Sequence, residues 1–437
     1  AWRASKQKFL QNNKVISELK LRGSFGLTGN ERIPPYQSLA TLSQVFYSSA
    51  SNSATLGFAP NSIANPNLTW ETTYAYDLGL DLSLFKDRIT LTADVYLKQT
   101  KDLLLQADVP AQTGFLRQFQ NLGQIDNKGI ELSLSTINIK RGSFNWSSNF
   151  NISFNRNEVV SLGSVNFLPV TVYGGPISTL GRVIKGQPIG TAYGYVFDGI
   201  YQINDFIIKN SGGTVIDPST ITTANLGNYT YTPKPGVASM SSRTVRPGDM
   251  KYRDLNGDGV VNDGDATIIS NSNPQHFGGF GNNFSYKNFD LSILFNWSYG
   301  ADVLYVGRGR VEAGQSLFNN PTEQYWFNRW RVDNPTNAHP GLTSQGKLDV
   351  SSYYTEDASF LRLRNVTLGY NLNNIPALKK IGINGLRIYA TGVNLHTWTN
   401  YSGFDPEVNS YSPLLPGVDN ISYPRERSII FGLNIKL

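Results

Sequence analysis

The feature that most constrains this chain is a two-residue alternation of apolar and polar side chains in ten separate segments. Because successive side chains of a β-strand point to opposite faces of a sheet, this period predicts strands with one apolar and one polar face. In the segment Phe360–Tyr370 the alternation changes phase, which predicts a β-bulge near Asn365. The ten predicted strands are Leu19–Thr28, Trp70–Phe85, Ile89–Leu97, Gln124–Thr136, Phe144–Phe154, His276–Tyr286, Phe289–Tyr299, Phe360–Tyr370, Leu386–Leu395 and Ile429–Leu437.

The connections between these segments alternate between short and long. Tight breaks at Lys86-Asp87 and Lys287-Asn288 contrast with long connections such as Gly300–Ser359 and Asn400–Glu426. Outer-membrane barrels have short periplasmic turns and long extracellular loops. The sequence therefore predicts an all-β chain, part of a large antiparallel transmembrane β-barrel. A soluble β-sandwich or solenoid, with the apolar faces packed on a second sheet, is the alternative.

Two further patterns favour the barrel. The polar face carries Ser, Thr, Asn and Gly more often than Lys or Glu, which suits a lumen better than a sheet surface in water. Several aromatic residues lie towards the ends of their segments, where an interfacial girdle would sit. These residues are Tyr74, Tyr76, Tyr96, Trp297, Tyr299 and Tyr370, and a core position is the alternative for any one of them.

Composition excludes several classes of protein. The chain contains no run of 18 apolar residues, so no transmembrane helix is predicted. It has 0 Cys, which excludes thiol chemistry. The 38 basic residues are scattered among 32 acidic ones, so no basic cluster indicates a nucleic-acid partner. The three histidines, His276, His339 and His396, lie far apart and no catalytic motif accompanies them, so we expect no enzymatic activity.

Residues 156–275 do not follow the strand pattern. This region is rich in Gly, Ser, Thr and Asn. If the strand before it runs outward and the strand after it runs inward, the region contributes either no membrane strand or an even number. We expect a long, mostly extracellular loop region that folds on itself.

One motif in this region, at 254–265, has the spacing of metal ligands. Oxygen-bearing side chains occupy positions 1, 3, 5, 9 and 12, with Gly259 at position 6, which is the EF-hand loop pattern with Asp in place of the usual Glu at position 12. The pattern predicts a structural Ca²⁺ site; a turn with solvated carboxylates is the alternative. The candidate ligands are Asp254, Asn256, Asp258, Val260 through its carbonyl, Asn262 and Asp265.

A second candidate site is aromatic. The long loop after the segment Phe289–Tyr299 contains aromatic surface next to a fixed cation, a combination suited to stacking on sugar rings or closing on a peptide. Packing of the loop against the barrel mouth or a partner subunit is the alternative. The residues are Tyr325, Trp326, Phe327, Trp330 and Arg331.

Six segments spread over the chain resemble the SusC/RagA family of TonB-dependent outer-membrane transporters. Members of that family usually finish on Phe, so Leu437 departs from the family pattern. The segments are Leu21–Asn30 (LRGSFGLTGN), Asn65–Thr72 (NPNLTWET), Asn127–Glu131 (NKGIE), Gly186–Gly194 (GQPIGTAYG), Ser359–Tyr370 (SFLRLRNVTLGY) and Phe404–Glu407 (FDPE).

The resemblance implies a plugged barrel of about 22 strands, of which residues 1–437 would supply about the C-terminal half. The plug, the TonB box and the first strands are then expected before Ala1. It also implies a place in the outer membrane of a Gram-negative bacterium, in contact with its lipid. The expected function is import of oligosaccharides or peptides, with a SusD-like lipoprotein on the extracellular face and the TonB complex in the periplasm.

Two rival functions stay open on the sequence alone. One is a calcium-stabilised extracellular β-rich adhesin or carbohydrate-binding protein. The other is a siderophore-type member of the same superfamily, which the SusC-like segments disfavour.

Overall fold

A computed structural model describes most of the chain. The described residues are 1–11, 13–31, 35–48, 54–115, 117–163, 165–170, 181–312, 320–342, 349–373, 375–376, 380, 382–408, 412 and 414–436. Leu437, the last residue of the final predicted strand, therefore lies outside them.

Long antiparallel strands form one open sheet of 11 strands, in which each strand pairs with its sequence neighbours within the sheet. All ten predicted strands are present, and Trp2–Arg3 adds a short edge strand. The strands are β1 (Trp2–Arg3), β2 (Ile16–Asn30), β3 (Glu71–Leu84), β4 (Ile89–Lys101), β5 (Gln124–Arg141), β6 (Phe144–Ser161), β7 (His276–Tyr286), β8 (Phe289–Tyr299), β9 (Phe360–Asn373), β10 (Gly385–Thr399) and β11 (Ser428–Lys436).

The pairing register carries the apolar side chains on one face across the whole sheet. Leu21 of β2 lies opposite Leu80 of β3, which lies opposite Ala93 of β4. Ala93 in turn lies opposite Leu132 of β5, and Leu132 opposite Ile152 of β6. Directly paired residues share a face, so the alternation seen in single strands becomes one continuous apolar surface, with a polar surface behind it.

The aromatic residues expected at the ends of strands divide between the two faces. Tyr76 lies opposite Leu97 on the apolar face, as the girdle requires. Tyr96 instead lies opposite Asp77 on the polar face, and its hydroxyl donates to Asn155 over 2.9 Å. The expectation for Tyr96 was wrong because it was based on its position along the strand and not on its phase.

All the tight turns lie at one end of the sheet. Between β3 and β4, Lys86 and Asp87 have φ of 60° and 63°, a left-handed conformation found in tight hairpin turns. Between β5 and β6, Gly142 has φ of 57°, where the missing Cβ removes the strain of this conformation. The opposite end carries the long connections, as the sequence predicted.

The predicted bulge is confirmed. The register between β9 and its neighbours shifts between Leu363 and Asn365. One extra residue changes the phase of the side chains, so Leu361 and Val366 both reach the apolar face.

The long connections fold together into a compact loop domain with its own hydrophobic core. Core residues come from the connection after β6, from the connection between β8 and β9, and from the connection between β10 and β11; examples are Tyr252, Tyr354 and Val418. Its strands are Phe167–Val170, Gly181–Ile184, Thr191–Gly194, Phe197–Ile200, Phe206–Lys209, Thr230–Pro233, Ser239–Met240, Met250–Tyr252, Val260–Val261, Thr267–Asn271, Asp302–Tyr305, Thr355–Asp357 and Val418–Asp419.

Two hairpins accompany the earlier connections, Leu42–Ser48 with Ala54–Pro60 and Leu104–Asp108 with Arg117–Asn121. Between Ser161 and His276, the described residues add no strand to the large sheet, and β6 pairs directly with β7. Within the described residues the α-helices are α1 (Val306–Glu312) and α2 (Glu323–Asn328). No helix in the described part of the chain is long and apolar enough to span a membrane.

Candidate functional site

The side-chain oxygens of the loop 254–265 turn inward onto the loop's own backbone. The Asp254 carboxylate accepts hydrogen bonds from the amides of Gly257 and Gly259, each over 2.7 Å. Asn256 accepts from the amide of Asp258 over 2.8 Å. Gly259 has φ of 85°, and glycine tolerates this left-handed turn without strain.

Asp265 closes the loop. Its carboxylate is fully buried and accepts from the amides of Leu255, Asn256 and Asn262 over 2.9, 3.2 and 2.9 Å. These backbone hydrogen bonds, that from Asn262 first, lower the pKa of Asp265 because they favour the ionised form. The side chain of Asp254 also lowers the pKa of Asp265, so the first and last positions of the motif lie close together.

The ligand types at this loop fit Ca²⁺ in part. No three His, Cys, Asp or Glu side chains lie close enough together to hold a metal ion anywhere in the described part of the chain. A cation here would therefore also need the amide oxygens of Asn256 and Asn262 and the Val260 carbonyl, which are neutral oxygen ligands of the kind that calcium accepts. The strand Val260–Val261, which lies within this loop, pairs with Ser239–Met240. This pairing connects the loop to the core of the loop domain.

The aromatic candidates separate into buried and accessible members. Tyr325 and Trp330 are 1% and 4% exposed. The Tyr325 hydroxyl donates to the Pro340 carbonyl over 3.0 Å, and the Trp330 indole donates to Gln202 over 2.9 Å. In this conformation both rings serve the packing of the loop domain, which leaves no ring face free for a ligand.

The accessible aromatic side chains are Trp326 and Phe327, which are 42% and 63% exposed. The Arg329 guanidinium lies 3.7 Å from the centroid of the Trp326 ring. Arg331, the cation that the sequence suggested, pairs with Asp333 over 3.1 Å. The cation that stacks on Trp326 is therefore Arg329, which sequence reasoning did not single out.

The polar face of the large sheet carries a charged network that was not predicted. Arg22 of β2 donates to Asp81 of β3 over 2.9 Å and to Asp94 of β4 over 2.7 Å. All three side chains lie on the polar face. Arg22 and Asp94 come from β2 and β4, which are not adjacent in the sheet. Charged residues in the same phase of successive strands were the signal that could have revealed this network.

Two of the motifs that carry the family resemblance meet at the loop end of the sheet. Arg362 of β9 is 1% exposed and donates to Asp405 over 2.7 Å, to Glu407 over 2.6 Å and to Thr397 over 3.0 Å. Arg425 contributes a second cation, 3.3 Å from Glu407. This cluster fastens the connection between β10 and β11 to the polar face.

The hydrogen bonds and burial of His339 indicate a structural role. Its Nδ1 lies 2.8 Å from the hydroxyl of Tyr353, which in turn donates to the buried Glu312 over 2.7 Å. Burial and the nearby Arg308 lower the pKa of His339, so the ring is neutral near pH 7. His276 accepts a hydrogen bond from the Trp297 indole over 3.2 Å.

These features together define a class of protein. An open sheet of long antiparallel strands, apolar on one face and polar on the other, with tight turns at one end and a folded loop domain at the other, is a wall segment of a transmembrane β-barrel. The chain belongs to the TonB-dependent receptor family, because the family described as "TonB dependent receptor-like, beta-barrel" matches residues 13–395.

The similar proteins include members of the SusC/RagA type. A TonB-dependent receptor of Formosa agariphila is 34% identical over 100% of this chain and 41% of its own length. The TonB-dependent receptor SusC of Bacteroides thetaiotaomicron is 28% identical over 100% of this chain and 39% of its own. The RagAB peptide importer in its "closed-closed" state matches with a TM-score of 0.75 and 25% identity over 99% of this chain and 42% of that one.

The comparisons confirm the all-β fold class and the family resemblance. The chain lies in the outer membrane of a Gram-negative bacterium, as its family does. It spans about two fifths of the length of the curated relatives it matches. The family consists of transporters and receptors and not of enzymes.

Proposed function

We propose that this chain forms part of the wall and mouth of an outer-membrane importer for oligosaccharides or peptides. The observation that carries the proposal is the two-faced sheet in a chain of this family. Its polar face, with the paired charges of Arg22, Asp81 and Asp94, suits an aqueous passage. Its loop domain lies at the end of the sheet where barrels of this class have their extracellular loops.

The partners are proposed from the likeness of this chain to SusC and RagAB. A SusD-like lipoprotein is expected to cover the loop domain, and energy is expected to come from the TonB complex through a segment outside residues 1–437. The exposed rings of Trp326 and Phe327 lie on the loop domain and are candidates for contact with substrate or lipoprotein, together with Arg331. Tyr325 and Trp330 would then support this surface from beneath.

A growth experiment tests the import function. A strain that lacks the coding gene is supplied with defined oligosaccharides, or with peptides, as the sole carbon source. Growth on one of these classes should fail and should return with the intact gene. Undiminished growth and uptake on every substrate of both classes would contradict the proposal.

Affinity purification in mild detergent tests the partnership. A tagged, full-length transporter is expected to bring down a SusD-like lipoprotein. If the transporter is folded and no lipoprotein accompanies it, the partnership is wrong. The import function is judged separately by the growth experiment.

We also propose that the loop 254–265 binds Ca²⁺ and that the ion stabilises the loop domain. The spacing of the ligands, the contact between Asp254 and Asp265 and the connection of the loop to the buried Val261 support this. Two carboxylates held together repel one another when both are ionised, and a divalent cation between them would relieve that repulsion.

Calorimetry on the purified protein after removal of calcium tests the site. Added Ca²⁺ should give a binding heat that Asp254→Ala abolishes. Asp263→Ala is the matched control, because Asp263 lies in the same loop outside the ligand positions and its carboxylate accepts from Tyr195 over 3.4 Å. Equal heats in wild type and Asp254→Ala, or no heat in the wild type, would contradict the calcium site.

A further inference from the structure

A cavity of about 310 Å³ lies where the polar face of the large sheet meets the loop domain. Phe277, Phe360, Pro406 and Val408 contribute apolar wall. Asp302, at the start of its loop-domain strand, is one of the two acidic residues that line the cavity. The cavity is thus mostly apolar with a few polar groups, which is the usual character of a small-molecule site.

Asp302 has no cationic partner among the residues that the structure describes. One of its oxygens accepts a hydrogen bond from the amide of Asn271 over 2.9 Å. Burial raises the pKa of Asp302. The hydrogen bond from Asn271 opposes this shift, and the like charge of Asp357 adds to it. The carboxylate is therefore only partly compensated by the protein around it.

The other charged groups near the cavity balance one another. Glu407 lines the cavity, but Arg362 lies 2.6 Å from it and Arg425 lies 3.3 Å from it. The same two arginines also neutralise Asp405, at 2.7 and 3.5 Å. Two cations and two anions cancel, which leaves Asp302 as the uncompensated charged residue among those that line the cavity.

Asn296 also lines the cavity. The side-chain oxygen of Asn296, on β8, is buried and has no hydrogen-bond partner among the residues that the structure describes. Because this oxygen is not accessible to solvent, Asp302 provides the charged acceptor for a ligand that brings donors to the cavity.

We propose that this cavity binds an organic cation, an alkylammonium group whose nitrogen donates to Asp302 and whose carbon chain packs on the apolar wall. A bare divalent metal ion is disfavoured, because Ca²⁺ requires six to eight oxygen ligands and the wall here is mostly carbon. A neutral sugar would leave the Asp302 charge uncompensated.

The position of the cavity links it to transport. Asn296 and Phe360 lie on the polar face close to the loop end of β8 and β9, on the path of a molecule that enters from the loop side. If the chain serves import, as proposed above, the imported molecule carries an amine, as a basic side chain or an amino sugar does.

Binding of n-butylammonium chloride to the purified full-length transporter, measured by ligand-observed NMR and calorimetry, tests the site. Butan-1-ol, which has the same chain without the charge, is the neutral probe. Butylammonium should bind at least tenfold more tightly than butanol, because a charge-assisted hydrogen bond is about twice as strong as a neutral one. Asp302→Asn keeps the size of the side chain and should weaken butylammonium about tenfold while leaving butanol unchanged.

Asp87→Asn is the matched control. Asp87 lies in a tight turn at the far end of the sheet with φ of 63°, a conformation that asparagine adopts readily. This variant should bind like the wild type. Equal binding of butylammonium by wild type and Asp302→Asn, or no preference over butanol, would overturn the proposal. Calcium chloride that competes with butylammonium at equal concentration would also overturn it, in favour of a metal site.

The test is independent of the proposed function. Binding without import in the growth experiment would contradict the importer and leave the cation site intact. Import without butylammonium binding would contradict the cation site and leave the importer intact.

Discussion

The buried cluster around Arg362 gives the sharpest energetic prediction. Arg362→Met removes the guanidinium and keeps an unbranched side chain of similar length. Asp405, which is 7% exposed, then loses its partner at 2.7 Å. Glu407 loses its partner at 2.6 Å. Arg425 remains, 3.5 Å from Asp405 and 3.3 Å from Glu407.

The magnitude follows from these distances. Removal of one member of a buried ion pair costs about 3–5 kcal/mol, because the remaining charge is uncompensated. Since Arg425 stays within reach of both carboxylates, we expect the lower end, about 3 kcal/mol. Each 1.4 kcal/mol is tenfold in an equilibrium constant, so local opening of the connection 400–427 should become about 100-fold more frequent.

Hydrogen exchange of the transporter in detergent measures this opening. The amides of Glu407 and Ser422, which donate to Asp405 and Asp419 over 2.9 and 2.8 Å, should exchange about 100-fold faster. Arg387→Met is the control, because its pair with Asp290 is 27% and 29% exposed and such pairs contribute about 0–1 kcal/mol. Less than threefold faster exchange in Arg362→Met, or equal effects of both substitutions, would refute the reasoning.

Two further predictions concern the apolar face and the loop domain. Leu78→Arg places a charge on the apolar face, where Leu78 is 70% exposed; it should destabilise the folded barrel in lipid by about 2–4 kcal/mol, measured by urea unfolding in vesicles. Thr92→Arg, on the polar face, should cost less than half of that, and equal losses would contradict the assignment of faces. Burial raises the pKa of Tyr201 to about 12, so a phenolate titration of wild type minus Tyr201→Phe should show one group ionising near 12. The stability that this neutral phenol provides is complete below pH 10 and is lost as the pH rises through 12; a difference titration centred at 10 would contradict its burial.

The strands could be predicted because their signal is local. The face of a strand residue depends only on its phase, and in the segment around Leu91 and Val95 the apolar residues repeat every second position. The bulge at Asn365 could be predicted for the same reason, since one extra residue changes the phase visibly. Tyr96 shows the limit of this reasoning, because its phase and its position near a strand end pointed to different faces.

The loop domain could not be predicted because its signals are not local. Trp330 is buried because it packs in the core and donates to Gln202, a partner 128 residues away. Arg362 pairs with Asp405, which is 43 residues away in the sequence. Neither the period of a sequence nor the spacing of a motif encodes such contacts. Some aromatic residues that were predicted to form a binding surface therefore lie in the core. The EF-hand-like spacing was visible in the sequence, and calcium binding there stays a prediction.

The central claim is that one face of the sheet contacts lipid and the other does not. The chain has 0 Cys, so single cysteines can be placed at Leu132, Ser133, Leu134 and Ser135 of β5 and labelled with a fluorophore. In vesicles with spin-labelled acyl chains, fluorescence should be quenched at Leu132 and Leu134, which lie opposite Ala93 and Leu91, and not at Ser133 and Ser135. Quenching that does not alternate along these four positions would contradict the claim.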